Sequence, residues 1–182
     1  SAAALAARNR APATVGEAYE LTYRAFNLAE QYRTPVFVLT SKEIGVTREL
    51  VDLDAIELPP LVERKRVADN AEYLPHRFGR LADVPAISDF GGPHIARYTT
   101  STHDQAAYLT TKPAVIQEMI DHYMAKIDEA ADEIALVKGD LQDGAETLII
   151  SYGITSRSAA VAVQEARTRG IVVSTGGGSD FG

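Results

Sequence analysis

Glu146–Ser174, ETLIISYGITSRSAAVAVQEARTRGIVVS, decides the fold class. Its first part, Thr147–Tyr152, is apolar, rich in β-branched residues and bounded by Gly144 and Gly153, the pattern of a strand buried on both faces. A helix is expected next. Thr155 or Ser156 can accept hydrogen bonds from its first free N–H groups, and its body is rich in Ala and Val. Arg167 and Arg169 sit near its last carbonyls, and Gly170 can adopt the left-handed stop. Ile171–Ser174 reads as the following strand. Strand, helix and strand with tight connections form a βαβ unit with parallel strands and a right-handed crossover, so the class is α/β, parallel sheets with flanking helices.

Working outward, Thr14-Val15-Gly16-Glu17 has the spacing of a capping box. Ala18, Leu21, Ala25, Leu28 and Tyr32 follow as one apolar stripe, leaving Glu17, Glu20, Arg24, Glu30 and Arg33 for water. Thr34-Pro35 ends that helix, and Val36–Leu39 reads as a second buried strand. Before Thr14 the signals are weak, and no first strand is expected there. The longest predicted helix begins at Pro113 and runs to about Val137, because proline suits a first turn and Gly139 ends the pattern. Within it, Ile116, Ile120, Tyr123, Ile127, Ala130, Ile134 and Val137 have coiled-coil spacing, which fits either packing inside the domain or a seam against another subunit. The tail Thr175–Gly182, TGGGSDFG, has no helix after it to complete a phosphate loop, so a flexible or truncated end is expected.

Between Asp54 and Lys112 the periodicity fades. Five prolines and three glycines interrupt it, yet Tyr73, Phe78, Phe90 and Tyr98 are retained, which suits a segment draped over a neighbouring surface. Short strands are expected near Arg64–Val67 and Ile95–Tyr98.

Composition excludes several function classes. In 182 residues, 46 % are apolar, enough for a packed core, and the formal charge of −7 argues against a nucleic-acid ligand. Arg64-Lys65-Arg66 is better read as a solvated or ion-paired face. With no cysteine, the chain cannot hold an iron–sulfur cluster through thiolates or use a thiol nucleophile, and any such chemistry belongs to a partner. The same composition is compatible with the cytosol. No apolar run approaches a membrane span and Ser1–Ala7 lacks the features of a signal peptide, so a soluble cytoplasmic protein without membrane contact is expected.

Two places could carry chemistry. In Thr99–Asp104, the group Thr102-His103-Asp104 puts a histidine beside a hydroxyl and a carboxylate, which could tune it to titrate near neutrality or to orient an anion. The same residues could instead satisfy local backbone groups. Gly153, Thr155, Ser156 and Arg157 sit where a strand end becomes a helix start, which offers an anion pocket or ordinary capping. His76, His94, His103 and His122 have no close-spaced partners, so no metal site is expected.

Three stretches together resemble the α chain of the thiamine-diphosphate-dependent 2-oxoacid:acceptor (ferredoxin) oxidoreductases. Ala11–Gly45 is similar to the end of that family's pyrimidine-binding domain; in Thr99–Ile127, Thr102-His103-Asp104 matches its loop before a long helix; and in Tyr152–Ser174, YGITSR is similar to the opening of its second domain. The pattern departs at Ser41, Thr100, Gln105 and Ala107, where the family usually carries Asp, Gly, Glu and Gly. The resemblance implies residues 1–53 as the end of a pyrimidine-binding-like domain and 54–112 as a connecting segment. Residues 113–182 would be the long helix and βαβ of a transketolase C-terminal-like domain.

The implied activity is oxidative decarboxylation of a 2-oxoacid to an acyl-coenzyme A, with electrons passing to ferredoxin or a similar carrier. Thiamine diphosphate with Mg would be shared with a β chain that carries the diphosphate site. Iron–sulfur clusters would lie on partner chains only, with γ and δ chains as further candidate partners. The front half of the usual α chain is missing from this sequence, so no catalytic residue is expected here. A non-catalytic α/β assembly module is the alternative, and a flavodoxin-like nucleotide binder rests on the βαβ unit alone.

Overall fold

A computed structural model describes residues 8–99, 101–178 and 180–181. They fall into two compact units. One holds Asn27–Pro35 and Leu61–Ile134; the other holds Arg8–Phe26, Val36–Pro60 and the chain from Ala135 onward. This division cuts across the three consecutive segments expected from sequence, since 61–112 clusters with the helix that follows it.

The second unit contains two small sheets. In the first, β1 (Arg8–Arg10) lies between β2 (Val36–Val38) and β6 (Asp180–Phe181), parallel to β2 and antiparallel to β6. The expectation of no first strand is corrected: Arg-Asn-Arg has no apolar signal, and backbone pairing alone reveals it. The helix α1 (Val15–Tyr32) starts as the capping box requires. Thr14 Oγ1 accepts from Glu17 N at 3.1 Å, and the Glu17 carboxylate accepts from Ala13 N at 2.8 Å, one residue earlier than the standard box. A short α2 (Lys42–Val46) follows, capped by Ser41.

The second sheet has the order β3-β5-β4, from β3 (Val137–Asp140), β4 (Thr147–Ser151) and β5 (Val173–Gly178). β4 and β5 are parallel and joined by the helix α5 (Thr155–Thr168), so the βαβ unit is present, but its second strand is Val173–Gly178 and not Ile171–Ser174. Its stop is a Schellman motif: Gly170 has φ +80°, its N–H bonds to Arg167 O at 3.0 Å, and Ile171 N bonds to Ala166 O at 3.1 Å. Arg167 then donates to Val173 O and Asp140, tying the helix end to the sheet.

Three expectations change here. The glycine tail is a strand as far as Gly178, because β5 is paired on both sides; a Cβ on Gly177 would meet the Ser151 carbonyl at 2.6 Å, so glycine allows the close approach to β4. Neither apolar run is buried on both faces: Leu148 and Ile150 are 52 % and 71 % exposed, and Phe37 and Leu39 are also exposed. The cap of α5 is Ile154, without a side-chain hydrogen bond, so neither Thr155 nor Ser156 is the N-cap.

The first unit is built around α3 (Pro113–Asp128) and α4 (Ala131–Ile134). The single long helix to Val137 is therefore corrected. Continuing it would set Asp128 over Asp132 and Glu129 over Glu133, like charges four residues apart. Restarting at Ala131 instead places Asp132 and Glu133 in a first turn, where the helix dipole favours them. Ile127 and Ile134 are buried with Tyr32, against Leu28, Val84, Tyr123 and Ala130, so these seam positions are internal core, and Val137 is on β3. The Tyr32 hydroxyl donates to Glu133 at 2.7 Å; burial and that carboxylate both push its pKa up.

Arg33, expected on the solvent face, has φ +46° after the helix and donates to the carbonyls of Pro75, Pro85 and Ala86. A left-handed residue with a Cβ costs roughly 1–2 kcal/mol, and these three acceptors offset it. Lys126, also buried, donates to Arg33 O at 3.3 Å. The proline-rich stretch is thus pinned without regular strands: near Arg64–Val67 there is only the bridge Arg66↔Ile87, and none is described at Ile95–Tyr98. Arg64 and Arg66 pair with Glu30 and Asp89, as the ion-paired reading of the basic run requires.

Candidate functional site

Thr102, His103 and Asp104 belong to a small hairpin of the first unit, in which His103 bridges Leu109. Thr102 Oγ1 donates to Thr110 O at 2.7 Å, and Thr110 N returns a bond to Thr102 O at 3.1 Å. The Asp104 carboxylate accepts from Ala106 N and Tyr108 N at 2.9 and 3.0 Å, an Asx-type turn. Ala107 completes that turn at φ +65°, a conformation that favours glycine. The hydroxyl and carboxylate are therefore occupied by local backbone.

His103 is buried and uses both ring nitrogens. Its Nδ1 lies 2.9 Å from Asp104 O, and a carbonyl only accepts, so Nδ1 carries the proton. Nε2 then accepts from the Tyr123 hydroxyl at 3.3 Å. The His76 ring lies against it, with centroids 3.9 Å apart. His76 N donates to Gln105 O at 2.9 Å, and its Nε2 is buried with no hydrogen-bond partner among the described residues. Burial, helped by His103, Arg33, His122 and Lys126, pushes the His76 pKa down to about 3, so the ring is neutral.

His122 completes the group. Its Nδ1–H donates to Leu81 O at 2.6 Å, its ring stacks on Phe78 at 4.2 Å, and burial lowers its pKa. Burial also raises the Tyr123 pKa and lowers that of Lys126 to about 8. His76, His103, His122 and Tyr123 share a cavity of about 20 Å³, room for a single water. This is a packed polar centre around a neutral His76, and it fixes the hairpin.

Gly153, Thr155, Ser156 and Arg157 lie at the carboxyl end of β4 in the second unit. Gly153 turns the chain at φ +56°, and its carbonyl accepts from Ser156 N at 3.1 Å. Arg157, read as the cation of an anion pocket, instead pairs with Glu49 at 3.1 Å, and Glu49 also accepts from Val15 N. Gly153 and Ser156 open onto a cavity of about 380 Å³, which Glu17, Glu20, Arg24, Ser151 and Thr175 also line. Glu20 and Arg24 form an ion pair at its wall.

Thr102–Asp104 and Gly153–Arg157 thus fall in different units. Sequence reasoning missed His76 and His122 as companions of His103 because they are far apart in the chain; Tyr123 was visible only as an apolar position. Among the described residues no group of three His, Asp or Glu side chains is arranged to hold a metal ion.

Residues 7–122 match the family described as pyruvate flavodoxin/ferredoxin oxidoreductase, thiamine diphosphate-binding. The 2-oxoglutarate synthase subunit KorA of Methanocaldococcus jannaschii is 35 % identical over 164 residues, covering 90 % of this chain and 43 % of that relative. The ketoisovalerate oxidoreductase subunit VorB of Methanothermobacter thermautotrophicus is 32 % identical over 166 residues, covering 90 % of this chain and 39 % of that one. The chain spans less than half the length of these curated relatives. In fold it is similar to a 2-oxoglutarate:ferredoxin oxidoreductase from Magnetococcus marinus, solved with 2-oxoglutarate, coenzyme A and succinyl-CoA bound. The TM-score is 0.78 at 19 % identity, covering 94 % of this chain and 30 % of the other.

Proposed function

The chain belongs to the thiamine diphosphate-binding pyruvate flavodoxin/ferredoxin oxidoreductase family, and from that premise we propose that it is part of the α subunit of a 2-oxoacid:acceptor oxidoreductase. One observation carries the reading: the similarity to a 2-oxoglutarate synthase subunit runs through 90 % of the chain and covers both units. The reaction converts a 2-oxoacid and coenzyme A to an acyl-coenzyme A and carbon dioxide, with two electrons leaving for a ferredoxin-type acceptor and the protons of the acid and the thiol released to solvent. Bound thiamine diphosphate supplies the carbanion chemistry.

The described residues do not fit the metal that accompanies a diphosphate, since no set of acidic or imidazole side chains converges, and without cysteine the chain offers no thiolate to a cluster. We assign both to partner chains, a β chain with the diphosphate site and further chains with the clusters. This chain's part is to build walls. The hairpin at Thr102–Asp104, held by His103, Tyr123 and His76, and the corner Gly153–Arg157 are the segments we propose to border substrate or partner. Residues 1–53 correspond in this reading to the end of the pyrimidine-binding domain, 54–112 to a connecting segment and 113–182 to the second domain. Among the described residues no helix is long and apolar enough to cross a membrane, and a cysteine-free composition suits the cytoplasm, where we place the protein.

The test is composition of the native assembly. The full-length polypeptide, isolated through an affinity tag from its own cells, should bring stoichiometric thiamine diphosphate and iron with a second chain. A homogeneous, folded preparation free of both would refute the assignment.

A further inference from the structure

The connection between β3 and β4 carries Asp143-Gly144, the single Asp-Gly pair in a sequence that has no Asn-Gly pair. Ala145 N bonds to Gln142 O at 3.1 Å, so the pair fills the two central positions of a β-turn. With Gly144 at φ +78° and Asp143 outside the positive region, the turn is of type II. Both flanks are fastened. Gln142 N donates to Ser174 Oγ at 2.9 Å, the Gln142 side chain donates to Asp140, and Asp140 accepts from Arg167 at 2.6 Å. Between them Asp143 and Gly144 are exposed, and among the described residues neither the Asp143 carboxylate nor the peptide joining the two makes a hydrogen bond or ion pair. A Cβ built at Gly144 would meet nothing within 4 Å, so the space beside its nitrogen is open.

Glycine after aspartate leaves the next amide nitrogen without a side chain beside it, and that nitrogen can reach the aspartyl Cγ. Closing such a ring requires the Asp143–Gly144 peptide to rotate. The rotation breaks no hydrogen bond among the described residues, and glycine tolerates the new φ. Other aspartates lack this combination. Asp83 and Asp104 are held by backbone N–H groups, Asp89 and Asp140 by arginines, and the residues that follow them, Val84, Gln105, Phe90 and Leu141, all crowd the amide with a side chain.

We propose that Asp143-Gly144 is a site of spontaneous modification, at which the aspartate isomerises to isoaspartate through a succinimide. In the first step Gly144 N bonds to Asp143 Cγ, the Cγ–OH bond of the protonated carboxyl breaks, and the amide proton leaves with that hydroxyl as water. In the second, water opens the ring at the original peptide carbonyl, whose C–N bond breaks. Gly144 is then linked through Cγ, and the former peptide carbonyl has become a free carboxylate. One water is lost and one regained, nothing is oxidised or reduced, and the charge is unchanged. The product has one more carbon in its main chain, so the bond from Ala145 N to Gln142 O no longer closes the same turn and the link between β3 and β4 loosens. This chemistry is independent of the reaction assigned above.

The test incubates the full-length polypeptide in its native assembly at neutral pH in water enriched in heavy oxygen. Digestion in ordinary water and electron-transfer mass spectrometry then locate both the label and isoaspartate. Each ring opening inserts one solvent oxygen, so the two should accumulate together at residue 143, on the order of tenfold faster than label at Asp140, whose next residue is Leu141. Asp143→Glu would need a larger ring, and should abolish both signals with the melting temperature unchanged. Label at residue 143 no faster than at Asp140, or persisting in Asp143→Glu, would overturn the proposal. So would label in a synthetic peptide of residues 138–148 but not in the assembly, because the folded turn would then be holding the Gly144 nitrogen away from Cγ.

Discussion

Replacing His76 by glutamine should flatten the acid side of the stability profile. In the folded chain the His76 pKa stands at about 3, because burial and neighbouring cations disfavour the imidazolium; in an unfolded chain it returns to about 6.5. The unfolded state therefore binds more protons below pH 6.5, and stability falls as the pH drops from 6.5 towards 3. At pH 5 the full difference would be about 2 kcal/mol, and because His76 is only partly buried, solvent screening reduces this to about 1 kcal/mol. Glutamine keeps a polar side chain but cannot be protonated. Urea unfolding followed by far-UV circular dichroism at pH 7 and pH 5 measures the difference. The wild type should lose about 1 kcal/mol more than His76→Gln between the two pH values. Equal losses would show that His76 is protonated freely in the folded state, and its neutral, buried ring would be wrong.

Tyr123→Phe leaves His103 Nε2 without its donor in a buried site, and should lower stability by about 1–2 kcal/mol, read as a drop in urea midpoint at constant m-value. Its turnover in the assembled enzyme should fall less than its stability, since the hairpin is positioned and not reactive. Gly177→Ala would drive a methyl group to 2.6 Å from the Ser151 carbonyl, and should open the β4–β5 pair, visible as faster amide exchange at Ile149–Ser151 than in Gly176→Ala. Ile127→Ala should cost about 2–4 kcal/mol through the cavity left beside Tyr32 and Ile134, measured on the free chain. Destabilisation seen only in the assembled complex would restore the intersubunit seam.

What could be read from the sequence was governed by local signals. The order strand, helix, glycine stop, strand in Thr147–Gly178 is written locally, and the structure keeps that order and the positive φ of Gly170, while the burial of the first strand, the helix cap and the start of the second strand differ. The capping box at Thr14 is equally local. What escaped was set by distant partners. Arg8–Arg10 becomes a strand only because Val36–Val38 pairs with it, and Thr175–Gly178 only because β3 and β4 flank it. The end of α3 at Asp128 goes with Ile134 reaching Tyr32, a contact that a heptad pattern does not register. At the candidate sites, His103 was legible, but His76, Tyr123 and the Glu49 that occupies Arg157 were not, because folding alone brings them together.

Reduction of a viologen dye measures the central claim most directly. The reconstituted assembly containing the full-length chain should reduce the dye only when a 2-oxoacid and coenzyme A are both supplied, and the rate should vanish when this chain alone is omitted. A thiamine- and iron-replete assembly that reduces the dye equally well without this chain would contradict the account.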